Sequence, residues 1–583
     1  MKIKSVEIHN FRNFEVFKAN FTNEFQTLIG ENNIGKSNFL WALRLALDIN
    51  LPFNTRILRI SDFHGFPEID RQSYIAISIV LSSEKLDLLP NLHSIKISDK
   101  ECRITYFFAH KDRFSDFEEE PNPMLLSDFS WKLLGGGEEF SVEQVPQLSQ
   151  IQLRDLDGIN IYYISGFRNI NQDLYGSNRS LLSHYIKSRE THDSERDKVV
   201  GVLDTANSDL NNLDFIPDVI EKVVNKNAEI SGEYFSFPIN IAFGNQNYDD
   251  PWGQLEVNWK SENGKSIPSN SLGLGQKNLL YLSLFLSRLA NKDNEEFNIL
   301  LIEEPEAHLH PQLQKILFSR LSNTENTQAI MTSHSTHIAS DHGYKNLNVI
   351  YKNYENSTKC FSPFSTVTTD DKDKRDNLLL KRYLDATRSE LFFSSGVIFV
   401  EGVGEQFIIP AIAKECLKIN LVEYNISIIP IHSRYFDPFL KLFQAGKFEI
   451  FASTIIDGDS KEATDKGVVN SVEQAKGFEV ANRVQVFPGT DTLEIDLFPD
   501  PIKNASYLKK CFENLGHSQS YNNLINADAQ NWHEELIKRV DQTIKKGRFA
   551  QELAILIDKD FQVPNYISSA ITFLFDQINK RSC

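Results

Sequence analysis

The chain has 583 residues, of which 41% are hydrophobic and 24% are charged, and a formal net charge of −18. This length is too great for a single hydrophobic core and predicts two or more domains. No apolar run approaches the roughly 20 residues of a membrane span, and the charged, alternating residues 1–7 are unlike a signal peptide, so we expect a cytoplasmic protein without membrane contact. The acidic balance argues against a nucleic-acid partner, although an acidic exterior with a local basic groove stays open.

A strand, a glycine-containing loop and a helix follow one another near the start of the chain. Residues 2–9 alternate as a strand, residues 21–29 predict a second strand, and a helical apolar pattern begins at Phe39. Between them lies a complete G-x-x-x-x-G-K-S motif in the context that makes it specific. The backbone N–H groups of such a loop wrap phosphate, the lysine reaches the β- and γ-phosphates, and the serine holds Mg²⁺. The predicted contacts to ATP and Mg²⁺ are Gly30, Asn33, Gly35, Lys36 and Ser37.

Far downstream, a second apolar run ends in acid. Asn298–Ile302 predicts a buried strand, and Glu303 and Glu304 follow it directly. Beside a phosphate loop, the first acid of such a pair holds Mg²⁺ through water and the next polarises the attacking water. We therefore assign Glu303 to the metal and Glu304 to the general base. Taken alone, the run also fits a strand that meets an acidic cap, and it is the phosphate loop that favours the ATPase interpretation.

Two further motifs indicate the subclass of ATPase. A Ser-Leu-Gly-Leu-Gly-Gln stretch opens a helical run over 279–289, and His334 stands at the end of the strand predicted after Glu304. In this order the motifs resemble those of ABC-type ATPases of the SMC, Rad50 and RecF kind, over roughly residues 1–350. The resemblance implies that this signature in one protomer closes over ATP bound by another, and that His334 is a switch histidine. The signature residues are Ser271, Gly273, Gly275 and Gln276.

Simpler interpretations stay open for parts of this region. The signature glycines fit a turn before a helix, His334 fits a structural histidine, and the pair His308 and His310 is more typical of structural than of metal-binding histidines. The family's glutamine loop has no clear counterpart, because Gln72 lies at the wrong end of the strand predicted over 74–81.

Domain boundaries follow from changes in composition. We predict an ATPase domain over 1–365, with surface loops over 107–120 and 135–139 and a helical insertion at about 175–235. The insertion is interpreted as a dimerisation element, with a connector as the alternative. The charge-rich stretch 366–383 is predicted to be a linker, and 384–583 a second α/β domain.

The second domain delivers acids from the ends of apolar runs. Val397–Val400 predicts a strand that ends in Glu401, and the strand predicted over 449–456 ends in Asp457 and Asp459. A further strand over 426–430 and the intervening helical patterns imply a small parallel sheet. Because sites in such sheets lie at the strand carboxyl ends, these acids are expected to form an oxygen-rich pocket suited to divalent metal.

Glu-Gly after one strand and Asp-x-Asp after a later one resemble a Toprim domain. An ABC-type ATPase followed by a Toprim domain is similar to the OLD (overcoming lysogenization defect) family of nucleases, which includes the nuclease subunit of the Gabija anti-phage system. Supporting stretches are 384–390, 492–494 and 546–551. The resemblance covers nearly the whole chain and implies a cluster that binds two divalent metals, Mg²⁺ or Mn²⁺. The implied ligands are Glu401, Glu405, Asp457, Asp459 and Glu494.

The same resemblance implies that Lys546 stabilises the transition-state charge, while a solvated basic run around it is the simpler reading; Glu494 likewise fits an ordinary helix acid. The expected function is an ATP-regulated, metal-dependent DNA endonuclease that acts as a homodimer or larger oligomer in defence against phage. The sign of the coupling to ATP is left open. Some relatives pair with a UvrD-like helicase encoded alongside.

Two other classes of function compete with this one. A topoisomerase needs a tyrosine nucleophile on a further DNA-gripping domain, which is not evident, and a bacterial-type primase usually brings a zinc ribbon. The five cysteines lie far apart without C-x-x-C spacing, which excludes the ribbon and indicates a reducing compartment. A non-catalytic, ATP-gated DNA clamp is opposed by the intact acids.

Overall fold

The computed structural model of the chain describes 1–66, 68–83, 95–114, 125–166, 186, 193–211, 213, 216–217, 221, 258–260, 266–268, 273–289, 297–307, 309–321, 327–336, 346–363, 371–384, 388–458, 471–526 and 531–582. The chain divides into two compact units. The first comprises Met1–Ile164, Glu295–Glu306 and Pro311–Cys583, and the second comprises Ser165–Asn294 and Ala307–His310.

The strands, in chain order, are β1 Lys2–Phe11, β2 Phe14–Asn20, β3 Phe25–Ile29, β4 Tyr74–Ser82, β5 Lys96–Ser98, β6 Glu101–His110, β7 Phe129–Gly135, β8 Ser149–Ile151, β9 Ile159–Ile164, β10 Asn258–Lys260, β11 Ser266–Pro268, β12 Phe297–Glu303, β13 Thr327–Ser333, β14 Leu347–Lys352, β15 Thr358–Phe361, β16 Gly396–Val400, β17 Ile426–Pro430, β18 Phe451–Ile456 and β19 Val484–Pro488.

The α-helices are α1 Lys36–Leu47, α2 Asp193–Asn211, α3 Leu274–Leu289, α4 Pro311–Leu321, α5 Asp371–Tyr383, α6 Val403–Ala411, α7 Asp437–Leu440, α8 Ser471–Lys476, α9 Leu493–Leu497, α10 Ala505–Asn514, α11 Ser518–Ile525, α12 Trp532–Lys538, α13 Lys546–Leu556 and α14 Asn565–Ser582. None of the helices within the described ranges is long and apolar enough to cross a lipid bilayer.

An antiparallel sheet in the first unit has the order β2-β1-β4-β6-β7-β8, with β5 also paired to β6. It shares a large hydrophobic core with α1, in which Phe14, Phe17 and Phe39 pack ring against ring. The surface loop predicted from residue 107 is wrong at its start, because β6 runs to His110 and buries Phe107 and Phe108. The alternating pattern is lost there since the strand is covered on both faces.

The sheet that positions the phosphate loop has the order β15-β14-β3-β13-β12-β9. All its strand pairs are parallel except β14 with β15. Strands β3, β12 and β13 are almost wholly buried, as expected of parallel strands covered on both faces. Their carboxyl ends therefore meet at one edge, where Gly30, Glu304 and His334 follow them in the chain.

The acid-bearing sheet has the order β17-β16-β18-β19 and is parallel throughout. This confirms the predicted small parallel sheet and brings the carboxyl ends of β16 and β18 side by side. Helix α14 packs on β16, β18 and β19, and α6 packs on α13. Most of the predicted linker, Asp371–Tyr383, forms α5.

In the second unit, α2 lies within the predicted helical insertion, most of which is outside the described residues. Strands β10 and β11 form an antiparallel pair. Helix α3 confirms the helical run predicted after the signature.

Candidate functional sites

The phosphate loop depends on two glycines. Gly30 has φ +150°, and a Cβ there would overlap the carbonyl oxygen of Ile350 on β14. Gly35 has φ +115°, and its Cβ would lie 2.9 Å from the ring of Phe14. Only glycine combines such dihedrals with this close approach. The loop then enters α1 at Lys36, and the side chain of the next residue, Ser37, is exposed where it can reach a ligand.

Lys36 is 5% exposed and folds back onto its own loop. Its Nζ donates to the carbonyl oxygens of Gly30 (2.8 Å) and Glu31 (2.7 Å), and lies 3.3 Å from Nδ1 of His334. Burial lowers the pKa of Lys36 to about 8, and the carboxylates of Glu304 and Glu306 oppose this change. A buried cation with so much desolvation gains from a polyanion at the same place.

The acid and the histidine predicted on neighbouring strands meet. Oε1 of Glu304 lies 3.2 Å from Nε2 of His334. Because Lys36 donates to Nδ1, the neutral histidine carries its proton on Nε2 and donates it to Glu304. Burial and the charge of Lys36 lower the pKa of His334. Glu304 has a left-handed backbone, with φ +42°, while Glu303 is buried at the end of β12.

Glu306 is a residue of this site that the sequence reading missed. Its Oε1 accepts hydrogen bonds from Ser333 Oγ (2.6 Å) and from the backbone N–H of His334 (3.0 Å). Burial raises its pKa. The third acid of the Glu-Glu-Pro-Glu run therefore holds the end of β13 and positions His334. The run itself was the available signal.

Three of the four signature residues, Gly273, Gly275 and Gln276, lie in the described part of the second unit. Gly273 N donates to Oε1 of Gln276 (3.4 Å), and Lys277 N donates to the carbonyl oxygen of Gly273 (3.0 Å). Gly275 follows in the first turn of α3. Ser271 and His308 lie outside the described residues, and His310 is exposed. The role of the signature across a dimer stays a prediction.

Gln72 supports no glutamine loop in the described structure. It is exposed before β4, and its carbonyl oxygen accepts a hydrogen bond from Arg113.

Four of the five predicted acids gather at the end of the second parallel sheet. Glu401 follows β16, Glu405 lies in the first turn of α6, Asp457 follows β18, and Glu494 lies in the first turn of α9. The backbone N–H of Asp457 donates to Oε1 of Glu401 (2.9 Å), which ties the two strand ends together. The fifth acid, Asp459, lies outside the described residues.

Like charges and burial dominate the electrostatics of this cluster. Burial first, and then the charges of Glu401, Glu405 and Glu494, raise the pKa of Asp457 to about 8. Burial likewise raises the pKa of Glu405 to about 7, with Glu401 and Glu494 adding to it. Carboxylates forced together in this way are stabilised by a cation.

The donor set fits a hard divalent cation, since it consists of carboxylate oxygens without histidine or cysteine. Among the described residues, however, no three such side chains already converge as a preformed metal group. Metal binding here is therefore a proposal that rests on donor chemistry and charge.

Two cations border the acids. Lys546 Nζ lies 3.3 Å from Oε2 of Glu494, and although burial lowers the pKa of Lys546, Glu494 and Asp457 raise it overall. Arg434 Nε lies 3.6 Å from Oε2 of Glu401, with 44% of the arginine side chain exposed. Arg434 was missed from the sequence because it lies in the loop after β17, with no motif around it.

Tight packing of one loop against Gly458, the residue after Asp457, supports the cluster. Gly458 N donates to the carbonyl oxygen of Asp491 (3.0 Å), and a Cβ on Gly458 would overlap the backbone of Gly489 and Thr490. The buried carboxylate of Asp496 accepts from the backbone N–H of Thr490 (3.0 Å). Asp496 and the two glycines therefore set the separation between the loops that carry Asp457 and Glu494.

Two known protein families match separate parts of the chain. Residues 1–339 match the family described as AAA ATPase domain. Residues 392–459 match the family described as overcoming lysogenization defect protein-like, TOPRIM domain. The two matches confirm the predicted fold class, an ATPase domain followed by a Toprim domain.

Three relatives carry names that bear on chemistry. Endonuclease GajA of Bacillus cereus (strain HuB5-5) is 30% identical over 29% of this chain and 28% of its own length. Endonuclease GajA of Bacillus cereus (strain VD045) is 22% identical over 71% of this chain and 68% of its own. OLD nuclease of Thermus scotoductus is 23% identical over 69% of this chain and 72% of its own. The chain thus spans about a quarter of the first relative and about two thirds or more of the others.

Proposed function

The chain belongs to the AAA ATPase domain family and carries an OLD-like Toprim domain, and we propose that it is an ATP-regulated, metal-dependent DNA endonuclease. The observation that carries this proposal is the acid cluster of Glu401, Glu405, Asp457 and Glu494, bordered by Arg434 and Lys546. Acids that bind metal and cations that bind phosphate are the two components that phosphodiester hydrolysis needs. The relatives named endonuclease and nuclease support the same chemistry.

In this proposal the five acids Glu401, Glu405, Asp457, Asp459 and Glu494 would together hold the divalent cations. Mg²⁺ or Mn²⁺ bound in this way supplies an activated water and neutralises phosphate charge. Gly458 and Asp496 keep the two ligand-bearing loops at a fixed distance, so their role is to position the ligands.

The two bordering cations would act on the substrate. Lys546 sits against Glu494, where its ammonium group can stabilise the charge that develops on the phosphate. Arg434 has nearly half its side chain exposed beside Glu401, and its guanidinium group suits a phosphate oxygen pair. We assign it to binding of the DNA backbone.

In the ATPase domain, Lys36 would exchange its two loop carbonyls for the phosphates of ATP. Ser37 and Glu303 would hold Mg²⁺, and Glu304, oriented by His334, would polarise the attacking water. The carboxylate of Glu306 keeps His334 in place by accepting a hydrogen bond from the backbone N–H of His334.

The biological setting that we propose follows from the relatives and the sequence. We infer a cytoplasmic homodimer or larger oligomer that cuts phage or other foreign DNA, in which the signature residues complete the ATP site of a second protomer. A UvrD-like helicase encoded alongside would be a candidate partner.

Incubation of the full chain with supercoiled plasmid in Mg²⁺ or Mn²⁺, with and without ATP, tests the proposal. We expect nicked or linear DNA. Asp457→Asn should lower the rate by more than about 100-fold, which exceeds the 10–100-fold typical for loss of an outer-shell partner of a metal site. The matched control is Glu513→Gln, a substitution of an exposed acid on α10, which should keep the wild-type rate.

Other outcomes would overturn the proposal. Relaxed plasmid with a covalent protein–DNA adduct would indicate a topoisomerase, and tight binding of DNA without cleavage would indicate a clamp. Cleavage that survives Asp457→Asn would place the chemistry elsewhere in the chain.

A further inference from the structure

We propose that Glu31, an acid inside the phosphate loop, transmits nucleotide binding to the Toprim acid cluster through Ser395 and Asn425. This inference rests on the proposed function, because it assigns the residues that couple its two sites.

Glu31 is held from two sides. Its backbone carbonyl oxygen accepts a hydrogen bond from Lys36 Nζ (2.7 Å), the group expected to bind phosphate. Its carboxylate Oε1 accepts hydrogen bonds from Ser395 Oγ (3.1 Å) and from Asn425 Nδ2 (2.9 Å), both in the Toprim domain. One residue of the nucleotide loop is therefore bonded both to the nucleotide-binding lysine and to the nuclease domain.

The receiving side of this contact is itself firmly bonded. Asn425 Nδ2 also donates to the carbonyl oxygen of Phe393 (3.0 Å), and Ser395 N donates to the carbonyl oxygen of Asn425 (2.9 Å). Arg581 on α14 donates to Ser395 Oγ (3.0 Å) and to the carbonyl oxygen of Lys352 (3.3 Å). Its positive charge also interacts favourably with Glu31. A displacement of Glu31 would be felt by several groups that share these bonds.

The two Toprim residues stand at the beginnings of the strands that lead to the active site. Ser395 directly precedes β16, and Glu401 directly follows it. Asn425 directly precedes β17, and Arg434 lies four residues after its end. Five strand residues span about 17 Å at about 3.3 Å each. The phosphate loop thus touches one end of the strand whose other end carries a predicted metal ligand.

β16 is suited to transmit a displacement. All five of its residues are buried, and it is paired on both sides. A Cβ at Gly396 would lie 2.9 Å from Ile578 Cδ1, so α14 packs closely on the start of the strand. Because packed cores shift between discrete arrangements and do not stretch, the strand should move as a unit with α14.

Nucleotide binding has a physical reason to disturb this contact. To reach phosphate, Lys36 must give up its bonds to the carbonyl oxygens of Gly30 and Glu31. The incoming phosphates also bring negative charge close to the Glu31 carboxylate, which then depends more on Asn425, Ser395 and Arg581. By linkage, if ATP changes the affinity of the cluster for divalent cation by some factor, the cation changes the affinity for ATP by the same factor.

Substitutions from the Toprim side test the inference without touching the nucleotide or metal residues. Asn425 has φ +51°, so Asn425→Gly removes the amide while keeping the backbone conformation. Ser395→Ala is the second variant, and Asn420→Ala, a substitution of an exposed asparagine in the same domain, is the control. Thermal melting verifies that each variant folds.

Two readouts are measured on the full chain. The first is the ratio of plasmid cleavage rates with and without ATP in Mn²⁺. The second is the change in backbone hydrogen exchange over residues 395–405 when a non-hydrolysable ATP analogue binds. For the wild type and Asn420→Ala, we expect the cleavage rates with and without ATP to differ by at least about 5-fold, in either direction. The ratio should be within about 2-fold of unity in Asn425→Gly and Ser395→Ala, with affinity for the analogue kept within about 3-fold.

The exchange readout separates this inference from the proposed function. If the protein cuts no DNA, the proposed function fails, and the change in exchange over 395–405 still decides the link. A wild type without any response to nucleotide in either readout, or a full response in both folded variants, would refute the inference.

Discussion

The phosphate loop and the acid cluster are sites of the same kind, but their central buried groups carry opposite charges. Each lies at the carboxyl ends of parallel strands, and in each burial is the largest influence on the pKa of a central group, lowering that of Lys36 and raising that of Asp457 to the same value of about 8. Lys36 finds partial compensation in the protein, since three carboxylates and two carbonyls surround it. Asp457 is surrounded by three further acids, and Lys546 compensates only in part.

The difference indicates what each site requires from its ligand. The ATPase site already pairs its buried lysine with carboxylates, whereas the like charges of the acid cluster are neutralised only in part by Lys546. We therefore expect single substitutions in the ATPase site to affect turnover, and conditions of pH and metal to govern the Toprim site.

The largest effect is expected at Glu304, the proposed general base of the ATPase site. Glu304→Gln keeps the shape and the contact to His334 but removes the basic carboxylate, so ATP hydrolysis should fall by about 100-fold to 10,000-fold. Affinity for ATP should stay within a few fold, because Lys36 and the loop are unchanged. Phosphate release and nucleotide titration measure the two. Equal loss of binding and turnover would show that Glu304 shapes the site without acting as base.

The acid cluster should respond strongly to pH. Below about pH 7–8, divalent cation must displace protons from Asp457 and Glu405, so its affinity should rise between pH 6 and pH 8, by up to roughly tenfold per pH unit for each proton displaced. Calorimetric titration with Mn²⁺ measures this. In Asp457→Asn the dependence on pH should be weaker, because only the proton of Glu405 remains to be displaced, and a wild-type affinity that stays level across this range would contradict the electrostatic account of the cluster.

The stability of the protein should follow the same charges. The folded pKa values of these two acids lie above their unfolded values near 4, so the folded state holds more protons and loses stability as pH rises from about 4 to about 8. Bound Mn²⁺ should restore this lost stability, and the amount restored should increase with pH. Thermal unfolding midpoints with and without Mn²⁺ check the sign, which would be wrong if stability rose through this window.

The smallest effect is expected at Arg434. Arg434→Ala removes a cation that contacts phosphate in our proposal and also neutralises Glu401, so cleavage should fall by roughly tenfold while affinity for Mn²⁺ stays equal or rises. Arg434→Lys should recover part of the rate. Weaker Mn²⁺ binding in Arg434→Ala would instead indicate that the arginine organises the acids.

The residues that could be predicted from the sequence share a physical origin. Parallel strands gather their carboxyl ends, so a motif that follows each strand places its residues together without further information. This is why Lys36 with Glu304 and His334, and Glu401 with Asp457, meet as expected.

The residues that were missed act through contacts between distant segments. Glu306 bonds a strand end 27 residues away, and Glu31 bonds residues 364 and 394 positions further along the chain. Arg434 and Asp496 depend on loop packing that no local pattern encodes. Burial on both faces of β6 likewise removes the alternation that marks a strand, which led to the incorrect loop at Phe107.

The backbone of Glu304 has a consequence for how this protein can change. A non-glycine residue at φ +42° costs about 1 kcal/mol or more relative to glycine or asparagine. The fold therefore gives up stability to present a carboxylate at this position. Selection for thermal stability alone would favour glycine or asparagine here and remove the carboxylate that we propose as the general base, so stability and the proposed activity compete at a single backbone angle.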